Sequence, residues 1–182
     1  EYQVFPDAPR KRFNSLVLRA DFNNSWVHWD PNQRLRGTKV RDAWTKHTFR
    51  DMNGCSGHTR HFHLYINGLY WGVYDFGERI DADFAANYLG GTRDQYDAIA
   101  TKPLEAIDGD LTAYNAMVSV GRSADMRQLT NYNRIQQLVD MPNFIDYMIL
   151  NFYGANRDWG FDNNWNAVRR RSPDGKFLLA PW

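Results

Sequence analysis

One cysteine in 182 residues, Cys55, excludes an intrachain disulfide. Long apolar runs are missing too: no stretch reaches the length of a membrane span, and no signal-peptide pattern opens the sequence as given. Charge of one sign is not in excess. A total of 22 Lys and Arg against 21 Asp and Glu leaves a formal net charge of +1, so bulk electrostatics point neither to nucleic acid nor to a membrane surface. Repeats, low-complexity tracts and dividing linkers are absent, which argues for one domain. An initiator Met is lacking as well, and Trp182 stops inside an apolar strand, so the chain is expected to be part of a larger domain. What abounds is aromatic: seven Trp, ten Tyr and eleven Phe. Such content suits a packed core and a sugar-stacking surface alike, and it does not choose a function.

Along the chain, residues 1–12, with Pro6 and Pro9, read as a polar surface segment. Residues 13–20 (Phe-Asn-Ser-Leu-Val-Leu-Arg-Ala) form a strand, and 21–37 an irregular loop with Trp26 and Trp29 as anchors. Helical spacing through Val40, Ala43, Trp44 and Phe49 predicts a helix over 39–52, closed by Asn53-Gly54. Residues 60–78 are the clearest hairpin, turning at Asn67-Gly68. Asp81 caps a short helix over 83–89 that stops at Gly90-Gly91; 92–110 reads as a polar connection, and helices follow over 111–121 and 131–139.

The chain is organised around residues 143–182. Pro142 sits in the first turn of a helix capped by Asp140 or Met141. Phe144, Ile145, Met148, Ile149 and Phe152 recur at three- and four-residue spacing, predicting that this face is buried, and Gly154 ends the helix. A polar loop carries Asp158, Asn163 and Asn164, and two strand-like runs follow, joined by Ser172-Pro173-Asp174-Gly175. Helix, loop with an Asp and a downstream Asn, then hairpin is the layout of a kinase catalytic loop. There an Asp accepts the substrate hydroxyl proton and an Asn five residues on helps hold Mg²⁺. Asp158 and Asn163 have that spacing, with Asn156-Arg157-Asp158 in place of His-Arg-Asp. The element order β, α, ββ, α, α, α, α, ββ matches the middle of a two-lobed kinase-like fold with its hinge near residues 75–81.

Four stretches carry a family likeness. They are the run at 13–20 with Asn24-Ser25-Trp26; Arg41-Asp42; His-Leu-Tyr-Ile-Asn-Gly-Leu-Tyr-Trp-Gly-Val-Tyr at 63–74 with Glu78-Arg79; and residues 143–159 with Asn163-Asn164-Trp165. Together they resemble the CotH kinase family, the spore-coat protein H relatives, over nearly the whole chain. The resemblance implies an α+β, atypical protein-kinase-like fold in part. Residues 1–80 would be the end of the N-lobe and the hinge, and 81–182 the C-lobe up to the catalytic-loop hairpin. It also implies transfer of the ATP γ-phosphate, with Mg²⁺, to Ser or Thr of coat or extracellular proteins, and a spore-coat or secreted location. Asp158 then matches the catalytic Asp. The metal-binding Asn falls on Asn164 by the family pattern and on Asn163 by kinase spacing, so both stand. Glu78, near the hinge, contacts the nucleotide or makes a structural salt bridge. The phosphate-binding Lys is expected ahead of residue 1 and a second metal-binding Asp just after Trp182; Lys11, Lys39 and Lys46 lie in the wrong elements. The chain by itself is therefore expected to have negligible kinase activity.

Plainer roles are expected for several other residues: loop stabilisation for Asp162, strand-face packing for His61 and His63, helix-dipole compensation for Asp42 next to Arg41. Asp146 turns to solvent or anchors the loop, Tyr70 and Trp71 are core or rim aromatics, and Arg169-Arg170-Arg171 is a solvated strand end. Two other function classes stay open. A coat or surface protein could keep this fold for assembly or adhesion without catalysis. A carbohydrate-binding module would show exposed coplanar aromatics in a groove, whereas a kinase would bury most of them.

Overall fold

The structure, a computed structural model, describes residues 2–20, 22–101, 103–160 and 163–182, so Asp162 lies outside the described residues. It is an α+β chain with two antiparallel sheets and six α-helices among the described residues. It divides into two compact units, residues 1–48 with 57–79 and residues 49–56 with 80–182.

The first unit holds strands β1 (Leu16–Arg19), β2 (Thr59–Ile66) and β3 (Leu69–Glu78) in the order β1-β3-β2. Asn67 and Gly68 both take left-handed backbone, φ 51° and 79°, the twist a two-residue hairpin needs. The N-terminal segment departs from expectation. Phe5 is 1% exposed, its ring 5.3 Å from Phe13 and 6.2 Å from Phe76, which in turn meets Phe62 at 5.5 Å. Apolar rings, not the local polarity of residues 1–12, decide where this segment lies. Residues 21–37 are not irregular throughout either: a 3-10 turn at Phe22–Asn24 precedes α1 (Pro31–Arg36), started by Pro31 and capped by Asp30, which accepts from Asn32 N–H. Trp26 and Trp29 are 64% and 76% exposed, while His28 and Asn24 are buried; Trp26 ties the segment together by donating its indole N–H to Gly37 O at 2.5 Å rather than by burial. Helix α2 (Arg41–Asp51) closes as predicted, with Asn53 left-handed and Gly54 N–H donating to Phe49 O. Asp42 does more than meet a dipole: it pairs with Arg19 at 2.6 Å.

The second unit is built on the sheet β5-β4-β6-β7. Helix α3 (Ala82–Leu89) starts at Asp81, whose carboxylate accepts from Phe84 N–H. The predicted polar connection at 92–110 holds one of the sheet's two inner strands, β4 (Tyr96–Ala100), and its neighbour β5 (Glu105–Asp108). Asp97 and two alanines hide β4 in the sequence, because none of them favours strands. Asp97 is 2% exposed and paired with Arg169 at 3.4 Å and Arg171 at 3.2 Å, so two of the three arginines are structural partners rather than a solvated end. Helices α4 (Thr112–Ser123), α5 (Leu129–Gln136) and α6 (Met141–Tyr153) lead to the hairpin β6 (Trp165–Arg170) and β7 (Phe177–Pro181).

Helix α6 begins where Asp140 accepts from Asn143 N–H, but its buried face is not the predicted one. Ile145, Ile149 and Phe152 are 49%, 51% and 69% exposed, whereas Asn143, Tyr147, Leu150 and Asn151 are buried. Apolar residues surround most of this helix, so periodicity alone could not choose. The choice goes to the face whose asparagines find partners. Asn143 brackets the outer edge of β7: its Oδ1 accepts from Leu179 N–H at 2.7 Å and its Nδ2 donates to Leu179 O at 3.2 Å. The unit's main cluster joins Phe49, Ile99, Tyr114, Tyr147, Leu150, Trp165 and Phe177.

Aromatic burial does not separate the kinase reading from a sugar-binding one. Trp26, Trp29, Trp44, Trp71 and Trp182 are exposed, while Phe5, Phe49, Phe84, Phe177, Tyr96, Tyr114, Tyr147 and Trp165 are buried. Tyr70 and Trp71 lie on the surface of the β2–β3 tip, where Tyr65 and Tyr70 tilt at 50° rather than lying coplanar.

Candidate functional site

The loop between α6 and β6 is held at both ends. At its start Gly154 keeps ordinary backbone, and Ala155 takes the left-handed turn, φ 48°. Asn156 then folds back on the helix: its N–H donates to Asn151 O at 3.0 Å, and its Nδ2 donates to Asn151 Oδ1 at 2.8 Å. Trp159 covers the same turn, with its ring edge-on to Tyr147 at 6.1 Å and to Phe152 at 5.9 Å. Burial pushes the Tyr147 hydroxyl up to about 12, with Asn151 partly opposing the shift, so its ring remains a neutral wall. At the loop's end buried Thr101 clasps Trp165: its Oγ1 accepts from the Trp165 N–H at 3.1 Å and donates to Trp165 O at 2.9 Å.

Between those anchors the three loop residues singled out by sequence come together. Asn163 Nδ2 donates to Asp158 Oδ1 at 2.7 Å, and Asn164, left-handed at φ 58°, donates its Nδ2 to the Asp158 carbonyl. An ionised carboxylate can only accept, so the Asn163 amide must turn its nitrogen toward Asp158. Its Oδ1 is thereby left buried and without a hydrogen-bond partner among the described residues. An orphaned amide oxygen beside an exposed carboxylate is an oxygen-donor pair, the kind that suits a hard divalent cation. Among the described residues no group of three His, Cys, Asp or Glu is gathered for a metal. An ion here would rest on the Asn163 oxygen and complete its shell largely from water, as Mg²⁺ commonly does.

Glu78 belongs to the first unit, where its buried carboxylate lies 2.8 Å from His58 Nδ1 and accepts from the His58 N–H at 2.8 Å. His63 meets the Tyr70 hydroxyl at 3.0 Å. Sequence reasoning missed Thr101, hidden in the supposed connection, and Asn151. A signal for the latter exists: Asn143, Asp146 and Asn151 are the polar interruptions of an otherwise apolar helix, and Asn143 and Asn151 are the two uncharged ones.

A family model described as CotH kinase protein matches residues 13–182. No curated protein matches the chain. Matched over nearly its whole length, the chain belongs to the CotH kinase protein family.

Proposed function

We propose that this member of the CotH family forms the hinge and catalytic-loop part of an atypical Ser/Thr protein kinase. It would transfer the ATP γ-phosphate to Ser or Thr of a coat or extracellular protein. The observation that carries this reading is the Asp158–Asn163 pair, with its orphaned Asn163 Oδ1. Bound Mg²⁺ would neutralise phosphate charge, held by the Asn163 oxygen, with Asn164 bracing the loop. That geometry favours Asn163 over Asn164 as the ligand. Asp158, one oxygen engaged by Asn163, turns the other to the acceptor hydroxyl and takes its proton. The hydroxyl oxygen bonds to the γ-phosphorus as the bond to the β-phosphate oxygen breaks, and ADP leaves. Glu78, tied to His58, serves on this reading as a structural brace rather than a nucleotide contact.

The test is phosphoryl transfer from Mg²⁺-ATP to a Ser/Thr-rich protein by the full-length gene product. Asp158→Ala should lower the rate about 10²- to 10⁴-fold. Asn163→Ala should also raise the Mg²⁺ requirement, and more than Asn164→Ala does. Transfer that persists in Asp158→Ala would overturn the reading. No transfer and no nucleotide binding would favour assembly or adhesion, to which the exposed Tyr65, Leu69, Tyr70 and Trp71 at the hairpin tip are suited.

A further inference from the structure

Asn151 is a poor helix residue in the last turn of α6, and it is buried. Its side chain has two engagements. Nδ2 donates to Tyr147 O at 2.8 Å, which fixes the amide's orientation and aims Oδ1 outward, and Oδ1 accepts from Asn156 Nδ2 at 2.8 Å. Asn156 is in turn oriented by that donation, so its own Oδ1 faces the following turn, where it accepts from the Asp158 N–H at 3.1 Å. Three amide contacts therefore run in series from the rigid helix backbone to the backbone of Asp158. Each amide has one usable orientation, because its neighbour fixes which end donates. The Asn163 contact sets the Asp158 carboxylate from the other side.

We propose that Asn151 and Asn156 act as a single amide clasp that positions Asp158. The clasp touches no reacting atom. It rests on the kinase reading for its consequence but not for its existence. Misplacing a reacting group by an ångström costs about a hundredfold, so the clasp shows in kcat while leaving nucleotide affinity alone.

The experiment compares the full-length gene product with Asn151→Ala, Asn156→Ala, the double variant and Asn156→Asp. It measures phosphoryl transfer, thermal stability, and hydrogen exchange of the Asp158 amide by NMR. Each alanine variant should lose about tenfold to a hundredfold in kcat, with the KM for ATP within about twofold. The double variant should be no worse than the poorer single, as for groups acting as one unit. Asn156→Asp keeps an acceptor for the Asp158 N–H but sets a carboxylate against Asn151 Oδ1, whose amide is held by Tyr147 O, so it should lose kcat as Asn156→Ala does. The Asp158 amide should exchange about tenfold faster or more in Asn156→Ala. Parental kcat in Asn156→Ala overturns the proposal. So does a double variant whose loss is the product of the two singles, or a loss that follows melting temperature with Asp158 exchange unchanged. If the parent transfers no phosphate, the kinase reading fails alone, and the exchange rates decide the clasp: faster in the variants supports it, equal overturns it.

Discussion

Asparagine is the residue on which much of this chain's second unit turns. Its amide can donate and accept at once, so it substitutes for a backbone group where no strand or helix can supply one. Asn143 does this for β7, pairing both polar groups of Leu179 along an edge that would otherwise present unpaired backbone. Asn143→Ala would leave the Leu179 N–H and C=O unmatched beneath α6. We expect a loss of about 2–3 kcal/mol in urea unfolding, since each unsatisfied buried group costs about 1–3 kcal/mol. The cost should not be recovered by Asn143→Leu, which restores volume but no hydrogen bond. At this scale sequence gave half an answer. Asp158, Asn163 and Asn164 stood out because type and spacing matched a known chemistry. Which of Asn163's amide ends is free is a question of orientation, and spacing carries no orientation.

Among the elements, the β2–β3 hairpin and β4 are opposite cases. The hairpin was legible because Asn67-Gly68 specifies its turn locally. Gly68 sits at φ 79° with open space where a Cβ would go, so Gly68→Ala meets strain without a clash. It should cost about 1 kcal/mol, seen as a lower melting temperature of the first unit. Strand β4 was illegible because its stability comes from partners remote in sequence. Asp97 is buried between Arg169, Arg171 and the Asp110 N–H, which it accepts at 3.1 Å. Breaking such a pair leaves charge uncompensated, and Asp97→Ala should destabilise by about 3 kcal/mol or more by chemical denaturation. A Leu at 97 of similar bulk should fare no better, because both arginines and the Asp110 N–H remain. Helix α6 lies between these cases: its limits and cap were readable, but the buried face was decided by the asparagines.

Over the whole molecule, near-neutral charge leaves no large field to drive partner choice, and pH sensitivity falls to single buried groups. Tyr147 is the clearest. Its folded value is raised to about 12 from 10 by burial, so the neutral form is favoured in the folded state. The stabilisation is complete below pH 10. Above that the unfolded chain releases its proton first, and stability falls until about pH 12. Tyr147→Phe should remove roughly 2–3 kcal/mol of this alkaline loss, giving a flatter curve of unfolding free energy between pH 10 and 12. An unchanged slope would place the loss elsewhere. Cys55 shares the direction, its thiol pushed up to about 12 by burial although the residue keeps some surface.

The sequence by itself determined what is local: the Asn-Gly turn, the caps at Asp81 and Asp140, the closure of α2 at Asn53-Gly54, the order of most elements, and family membership. All but the last rest on residues within a few positions of one another, where backbone preference and side-chain reach suffice, and family membership rests on motifs spread over residues 13–182. Tertiary structure alone decided what depends on distant partners. It seated Phe5 among rings from the first unit's sheet, made β4 an inner strand through Asp97 and its arginines, and turned α6 onto Asn143 and Asn151. It also left Asn163 Oδ1 without a partner among the described residues. Burial and hydrogen-bond satisfaction are properties of neighbours in space, and no period or spacing along a chain encodes them.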